Sequence, residues 1–369
     1  MSVVRVGWGV TEVGAEVPLV MEKTDCPLCG GESSVRVLTG RDQLCGVAGE
    51  FHVVRCERCG HLYMNPRPAT ESLAACYPAQ YGPHQAMPSS SATKGVDRSS
   101  VADGGSALRP WYLRWFPLRR VPGLKRFYEW LLDDRSQPVP AAPEPGGWGL
   151  PVDKRPRALE LGCSTGRYLQ RLEQAGWDVR GVELSESAAG RALAAGLNVH
   201  CGVLETLPGW SAEFQLAAAW MVLEHVPDVR GTLVELRRRL RPGGRLLFSI
   251  PNAGCWEPRV FGSAWYVWEL PRHLHHFTPR SIRSLLTECG FEDIEVIHQR
   301  TLLNVVGSAG IALLSCAGSS RLGGYLKRYP DRPTLAGQLL LAPFAHLLAW
   351  LGQGGRLTIS ARRPSGVSE

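Results

Sequence analysis

From Arg157 onward, short apolar runs alternate with stretches of helical periodicity. Ala158-Leu159-Glu160-Leu161, Asp178 to Leu184, Asn198 to Gly202, Phe214 to Trp220 and Arg245 to Ile250 each read as a strand. Strands followed by helices predict a parallel sheet with helices packed on it. Right-handed crossovers then bring the carboxyl ends of the strands to one edge, where ligands bind in such folds. Upstream the pattern is weaker. Residues 83–109 are rich in Ser, Ala and Gly and read as a mobile linker, and residues 136–156, rich in Pro and Gly, as a second. Between them, residues 110–135 mix aromatics with Arg; Leu124 to Leu132 has helical spacing, and Pro117 and Pro122 break the chain before it. No internal repeat is present.

The first strand runs into Glu160-Leu-Gly-Cys-Ser-Thr-Gly166, which opens a helix. Gly162 permits a tight turn and Gly166 a close backbone approach to a ligand. The order is E-x-G-x-x-x-G. A dinucleotide fingerprint would read G-x-G-x-x-G, and no Lys-Ser/Thr pair follows to make a phosphate-cradling loop. A carboxylate beside the glycines suits a cationic ligand group, because opposite charge stabilises it. The second strand ends at Glu183, where an acid can accept both hydroxyls of a ribose. Taken singly, the glycines are turn formers and Glu183 a solvated strand end. Their joint spacing favours a nucleoside site.

These segments resemble class I S-adenosylmethionine-dependent methyltransferases over roughly residues 157–300, with a return at the C-terminus. Four places carry the likeness: Glu160 to Gly166, Glu183, the loop Trp220-Met-Val-Leu-Glu-His-Val-Pro-Asp228, and the turn and strand Leu240-Arg-Pro-Gly-Gly-Arg-Leu-Leu-Phe-Ser-Ile-Pro-Asn252. The resemblance implies a Rossmann-like α/β fold, a seven-stranded sheet wrapped by helices whose last strand is antiparallel. Glu292 to His298 would be the sixth strand and Arg356 to Arg362 the seventh. It implies S-adenosyl-L-methionine as cofactor. Glu160 and the backbone of Gly162, Cys163 and Gly166 would face its methionine part, Glu183 with Leu184 its ribose, Val203 and Leu204 its adenine, and Trp220 and Met221 its sulfonium. Two positions depart from the family pattern: Val203 and Gln215 stand where Asp is common.

Cys26-Pro-Leu-Cys29-Gly30 and Cys56-Glu-Arg-Cys59-Gly60 form C-x2-C-x26-C-x2-C. Each half is a knuckle of two thiolates followed by Gly, and four thiolates make the closed tetrahedral set of structural Zn²⁺. Redox-active thiol pairs are the competing reading. The segment 21–68 is therefore expected to be a small zinc-ribbon-like module, and with His61-Leu-Tyr-Met-Asn-Pro-Arg-Pro68 following Cys59 it is similar to a bacterial arrangement in which a zinc segment precedes a methyltransferase. Its basic residues, Arg55, Arg58 and Arg67, are too few for a nucleic-acid ribbon.

The stretch Ala253 to Thr278 carries Trp256, Trp265, Tyr266, Trp268 and Pro271-Arg-His-Leu-His-His-Phe-Thr278. Aromatics and histidines at the expected ligand edge make a candidate acceptor pocket. His273 or His276 is the candidate general base for a hydroxyl acceptor; alternatively these histidines position the helix that Thr278-Pro279 starts. Glu224-His225 is similar to a metal-binding loop of ubiquinone-pathway methyltransferases, but Met221 stands where they place a further acid. Glu224 and His225 are therefore expected to shape the loop.

Two runs, Leu302 to Cys316 and Leu339 to Leu351, are strongly apolar and too short to span a bilayer, which takes about 20 residues. They form an expected helical insertion, 301–355, before the last strand at 356–363. It could serve as core or dimer packing, as a cap over the acceptor, or as peripheral membrane or lipid-carrier contact through 302–316 and 339–351, with Arg321, Lys327, Arg328 and Arg332 near lipid phosphates.

The chain has 369 residues, of which 44% are apolar, enough for a sizeable core, and a net charge of +7. The basic residues are scattered, so nucleic acid is not an expected partner. Eleven Cys, an odd number without disulfide-framework spacing, and the absence of a secretory opening segment point to a reduced, cytoplasmic setting. The reading is a methyltransferase acting on oxygen or carbon of a small-molecule, sugar or lipid-linked glycan acceptor. Its rival is a zinc-dependent binding or scaffold protein with a degenerate fold.

Overall fold

The computed structural model describes residues 19–77, 137–143, 155–209, 212–318 and 320–366. The helix expected at 124–132, the linker at 83–109 and most of that at 136–156 lie outside them. The description therefore covers an N-terminal Cys-containing segment and the α/β core.

The core is a seven-stranded sheet. In chain order its strands are β6 (Arg157–Leu161), β7 (Asp178–Glu183), β8 (Val199–Cys201), β9 (Phe214–Trp220), β10 (Leu240–Pro251), β12 (Glu292–His298) and β13 (Arg356–Arg362). They lie in the order β12-β13-β10-β9-β6-β7-β8. β6 to β10 are parallel, and β13 runs antiparallel between β10 and β12. The order reverses between β6 and β9, and there the carboxyl ends open a crevice.

Alternation along each strand builds the two layers. Leu159, Leu161, Ala217, Ala219, Phe248 and Ile250 pack with α3 (Val229–Arg239) and α5 (Pro279–Glu288). Ala158, Leu216, Ala218 and Leu247 face the other way, onto α1 (Arg167–Gln174) and α2 (Glu186–Ala194). Every residue of β9 is buried, and its three successive alanines let helices approach from both sides. Ser185 and Asp228 cap α2 and α3 by accepting from backbone N–H groups, and Thr278 with Ser281 closes a capping box on α5 with Pro279 in its first turn.

The N-terminal segment contains β1 (Met21–Glu22), β2 (Ser34–Gly40), β3 (Phe51–Cys56), β4 (Leu62–Met64) and β5 (Arg67–Pro68). β1 pairs with β5, while β2, β3 and β4 form an antiparallel sheet. Contacts cross the boundary expected at residue 68. A fourth strand of this sheet, β11 (His275–His276), comes from the core and pairs with Tyr63 and Leu62 of β4. Phe51, Val53 and Met64 share an apolar cluster with Trp265, Trp268 and Leu274. Below them Arg272 donates from both terminal nitrogens to the Asp42 carboxylate at 2.8 and 2.9 Å, with both side chains wholly excluded from solvent.

α4 (Glu257–Phe261) and two short turns follow β10. Between β12 and β13 stand α6 (Leu303–Ala317), α7 (Arg321–Arg328) and α8 (Leu335–Trp350). α6 lies over the aromatic segment after β10: Ser308 Oγ accepts from the Tyr266 amide at 2.8 Å, and a side chain at Gly307 would collide with the Tyr266 ring. Among the described residues no helix is long and apolar enough to cross a membrane.

Candidate functional site

Glu160 ends β6 and Glu183 ends β7, and both are buried at the carboxyl edge. The turn between β6 and α1 directs the amides of Gly162, Cys163, Ser164 and Gly166 onto acceptors of the protein itself. Gly162 and Cys163 both donate to the Val182 carbonyl, at 2.8 and 3.1 Å, and Gly166 donates to Cys163 O at 2.8 Å. Ser164 N donates to Glu183 Oε2 and Ser185 N to Oε1, each at 2.8 Å. A phosphate-binding loop requires outward amides. Here a ligand meets carbonyl oxygens and carboxylates, the surroundings of a cation. Gly162 and Gly166 hold φ of 69° and 80°, and a Cβ on Gly162 would lie 2.5 Å from Val222. A side chain is excluded there on both grounds.

Burial, reinforced by the Glu183 charge, pushes the Glu160 carboxyl well above its ordinary value, and its Oε2 has no partner. A buried acceptor without a donor is costly unless a ligand supplies one. That geometry fits the ammonium group of a methionine moiety, and Glu183, anchored through both oxygens, keeps further lone pairs for hydroxyl donors.

The other expected contacts divide. Leu184 and Val203 are exposed beside Glu183, as an adenosine-facing pair needs. Leu204 and Cys163 turn their side chains into the core, so only their backbones can meet a ligand. Trp220 packs edge-on against Tyr168 with ring centroids 5.0 Å apart, and its Nε1 has no partner. Met221 follows it with φ of 57°, a left-handed conformation that a non-glycine residue adopts at a cost and that recurs at functional sites. Gln215, at a position where relatives often carry Asp, is buried and accepts from Arg157 N at 2.6 Å, which makes it part of the sheet's packing.

The loop after β9 holds a constellation that the linear sequence does not display. One potential ligand atom from each of Glu224, His225 and His273 lies within 4.8 Å of the others. Glu224 is fully buried with neither carboxylate oxygen partnered, and burial pushes it up to about 8. The His225 and His273 rings meet edge to face, 4.6 Å apart. His225 Nδ1 lies 3.0 Å from the Tyr77 hydroxyl and 3.2 Å from the Arg272 carbonyl. The set could share a proton or hold a divalent cation, with His273 in place of the acid that Met221 replaces.

The two histidines expected as candidate bases are both buried among protein groups. His273 reaches this cluster, but both its nitrogens face protein acceptors: Nδ1 lies 2.9 Å from Val267 O, and Nε2 lies 3.3 Å from Glu269. Burial, then His225, pushes it well below the usual imidazole range, against the pull of the Val267 carbonyl. His276 lies on β11, edge-on to Trp268 at 4.7 Å and fully buried, in the packing between the Cys segment and the core. Adjacent strand residues face opposite sides, so a run of histidines in sequence does not share one site.

The four cysteines Cys26, Cys29, Cys56 and Cys59 converge, with sulfurs 3.5 Å apart for Cys26 and Cys59 and 3.6 Å for Cys29 and Cys56. Tetrahedral Zn–S bonds of about 2.3 Å place sulfurs roughly 3.8 Å apart. The two knuckles repeat one another: Cys26 O accepts from Gly30 N at 2.8 Å, and Cys56 O from Gly60 N at 2.9 Å. The donor set and its spacing fit a structural metal.

Residues 124–296, just under half of the chain, match the family model of a methyltransferase domain. The matched span takes in the parallel strands β6 to β10, the buried carboxylates Glu160 and Glu183 at their edge, and most of β12. A ubiquinone biosynthesis O-methyltransferase of Aromatoleum aromaticum is 29% identical over 154 residues, 38% of this chain and 66% of that protein. A malonyl-[acyl-carrier protein] O-methyltransferase of Serratia marcescens is 28% identical over 148 residues, 40% of this chain and 56% of that protein. The chain thus spans less than two thirds of either relative. Among solved structures, an S-adenosylmethionine-dependent methyltransferase from Mesorhizobium loti is 23% identical, with a TM-score of 0.38 over 60% of this chain and 93% of that one.

Proposed function

We propose that this chain binds S-adenosylmethionine at the β6–β7 edge and methylates an oxygen of a small-molecule acceptor. The observation that carries the reading is the buried pair Glu160 and Glu183 beside a turn that directs the amides of Gly162, Cys163, Ser164 and Gly166 onto the protein itself. Glu160 balances the cofactor's ammonium, Glu183 accepts from the ribose hydroxyls, and Leu184, Val203 and the backbone at Leu204 border the adenine. Trp220 and Met221 line the side that faces the acceptor. The bound cofactor supplies a methyl group on a sulfonium, and the chain supplies alignment and exclusion of water.

Oxygen as the accepting atom is favoured by the two relatives, both named for O-methylation. A hydroxyl acceptor sheds a proton, and His225 is the residue assigned to take it. His273, fixed by Val267 and Glu269, positions the His225 ring. His276 serves packing. The Cys26, Cys29, Cys56 and Cys59 set holds a structural zinc that keeps β3 and β4 in place for pairing with β11. The acceptor lies under the aromatic segment 256–268, which α6 covers; a sugar or lipid-linked acceptor would also fit an aromatic pocket.

The test is calorimetric titration of zinc-loaded protein with S-adenosylhomocysteine, for the parent and for Glu183→Ala, followed by labelled methyl transfer to a panel of phenols. Micromolar binding that the substitution abolishes supports the assignment. A well-folded parent that does not bind S-adenosylhomocysteine refutes it and leaves a scaffold role.

A further inference from the structure

α8 breaks the usual relation between composition and burial. Its sixteen residues, Leu335 to Trp350, include no charged side chain. A helix that is apolar all round is ordinarily a buried one. Yet only Ala342 and Ala345 are buried, while Leu340, Phe344 and Trp350 are 73%, 61% and 82% exposed. Leu340, Phe344, Leu347 and Leu351 recur at intervals of three and four, so they form one continuous stripe. An exposed stripe of this kind marks a surface that something else covers.

α7 shows what covers it. Leu322 and Tyr325 are exposed on the same side of that short helix as Arg321 and Arg328. Arg332 is exposed in the turn that leads to Thr334, the cap of α8. Asp331 is the single acid between Thr301 and Gly355, against four basic residues. Apolar and cationic side chains on α7, followed by a turn with exposed Arg332 that leads into an uncharged helix, complement an anionic interface with an apolar interior. A second copy of the chain would set guanidinium against guanidinium across a two-fold contact. At about 1.5 Å per residue α8 is roughly 24 Å long, short of a hydrocarbon core about 30 Å thick. It is therefore suited to lying in the interface, with a Trp at its end at headgroup depth.

We propose that α7 and α8 form a membrane-surface docking element, in which Leu340, Phe344 and Trp350 enter the acyl boundary and Arg321 and Arg328 meet the phosphates of anionic lipids. Vesicle binding is read without any methyl transfer, so its outcome is distinguishable from that of the proposed activity.

The experiment is flotation of the full-length, zinc-loaded protein with vesicles of phosphatidylcholine alone and of phosphatidylcholine mixed with phosphatidylglycerol. The parent should float with the mixed vesicles and be partly released by salt. Phe344→Ser with Trp350→Ser should lower the partition about tenfold or more, because two apolar groups no longer enter the interface. Arg321→Glu with Arg328→Glu should remove the preference for phosphatidylglycerol. Val35→Ser, an exposed position on β2, should float like the parent. All the replaced side chains are exposed, and matching melting curves confirm that the variants fold. A parent that floats with neither vesicle overturns the proposal. So does a Phe344→Ser, Trp350→Ser variant that floats undiminished. A parent that fails to float but is a dimer, and becomes a monomer on the same substitution, assigns the stripe to a second copy instead.

Discussion

Replacing Glu224 with Gln should change how stability depends on pH. Glu224 is fully buried in the loop after β9, and burial raises its carboxyl from 4.5 to about 8, with Glu269 adding to the shift. A carboxyl whose folded pKa lies above its unfolded pKa is protonated in the folded chain and ionised in the unfolded one. Its contribution to stability is complete below pH 4.5 and drains away as pH rises toward 8. Each pH unit of that window is worth about 1.4 kcal/mol, which bounds the total near 5 kcal/mol. Relaxation and water entry around the ionising group reduce this to an expected 2–3 kcal/mol, as the effective dielectric of real sites is well above that of dry protein. Gln keeps the shape and cannot ionise. In magnesium-free buffer the melting temperature of Glu224→Gln minus that of the parent should therefore grow by about 4–6 °C between pH 5 and pH 8.5, taking about 2 °C per kcal/mol. A difference that stays constant across this range would refute the buried, protonated carboxyl, whatever its absolute size.

Further substitutions test the rest of the site. Glu183→Gln should weaken S-adenosylhomocysteine about tenfold to a hundredfold in calorimetry, because a neutral amide accepts more weakly than a carboxylate. Metal analysis should find one equivalent of tightly bound zinc in the parent and none in Cys56→Ser, which should also melt at a lower temperature; full retention of metal in the variant would exclude this ligand set. Arg272→Met should cost about 3–5 kcal/mol in denaturant unfolding by stranding the Asp42 carboxylate, and adding Asp42→Asn should recover part of it. His225→Ala should lower kcat for an active phenol by about a hundredfold or more while leaving S-adenosylhomocysteine binding unchanged; a loss confined to KM would remove it from the proton path.

The core could be read from alternation alone because each of its strands is stabilised locally by what its two faces bury. Glu292–His298 and Arg356–Arg362 were placed through family resemblance, and the observed strands have these bounds. Glu183 was legible because a single acid at a strand end has a fixed address. The meeting of His225 with His273 was not. They are far apart in sequence, and their contact depends on the path of the chain between β10 and α5. The same holds for Arg272 and Asp42, whose pairing joins two segments with no shared motif. His273 and His276 show the opposite: they are close in sequence, yet His273 meets His225 while His276 packs against Trp268. Leu204 carries a family position whose role falls to its backbone, which residue identity does not reveal.

The pairing of β11 with β4 has a consequence for how the chain can be cut or varied. A protein ending near residue 68 would expose the amides and carbonyls of β4 that His275 and His276 now occupy, and would lose the Met64–Leu274 hydrogen bond. A core expressed alone would leave β11 and the loop beneath it without a lateral partner, at the place where Leu274 and His275 donate to the Glu224 carbonyl. The thiol cluster and the loop that carries Glu224 are thus linked through one hydrogen-bonded ribbon, so a disturbance of the cysteines should be felt at Glu224 before the sheet of the core is affected.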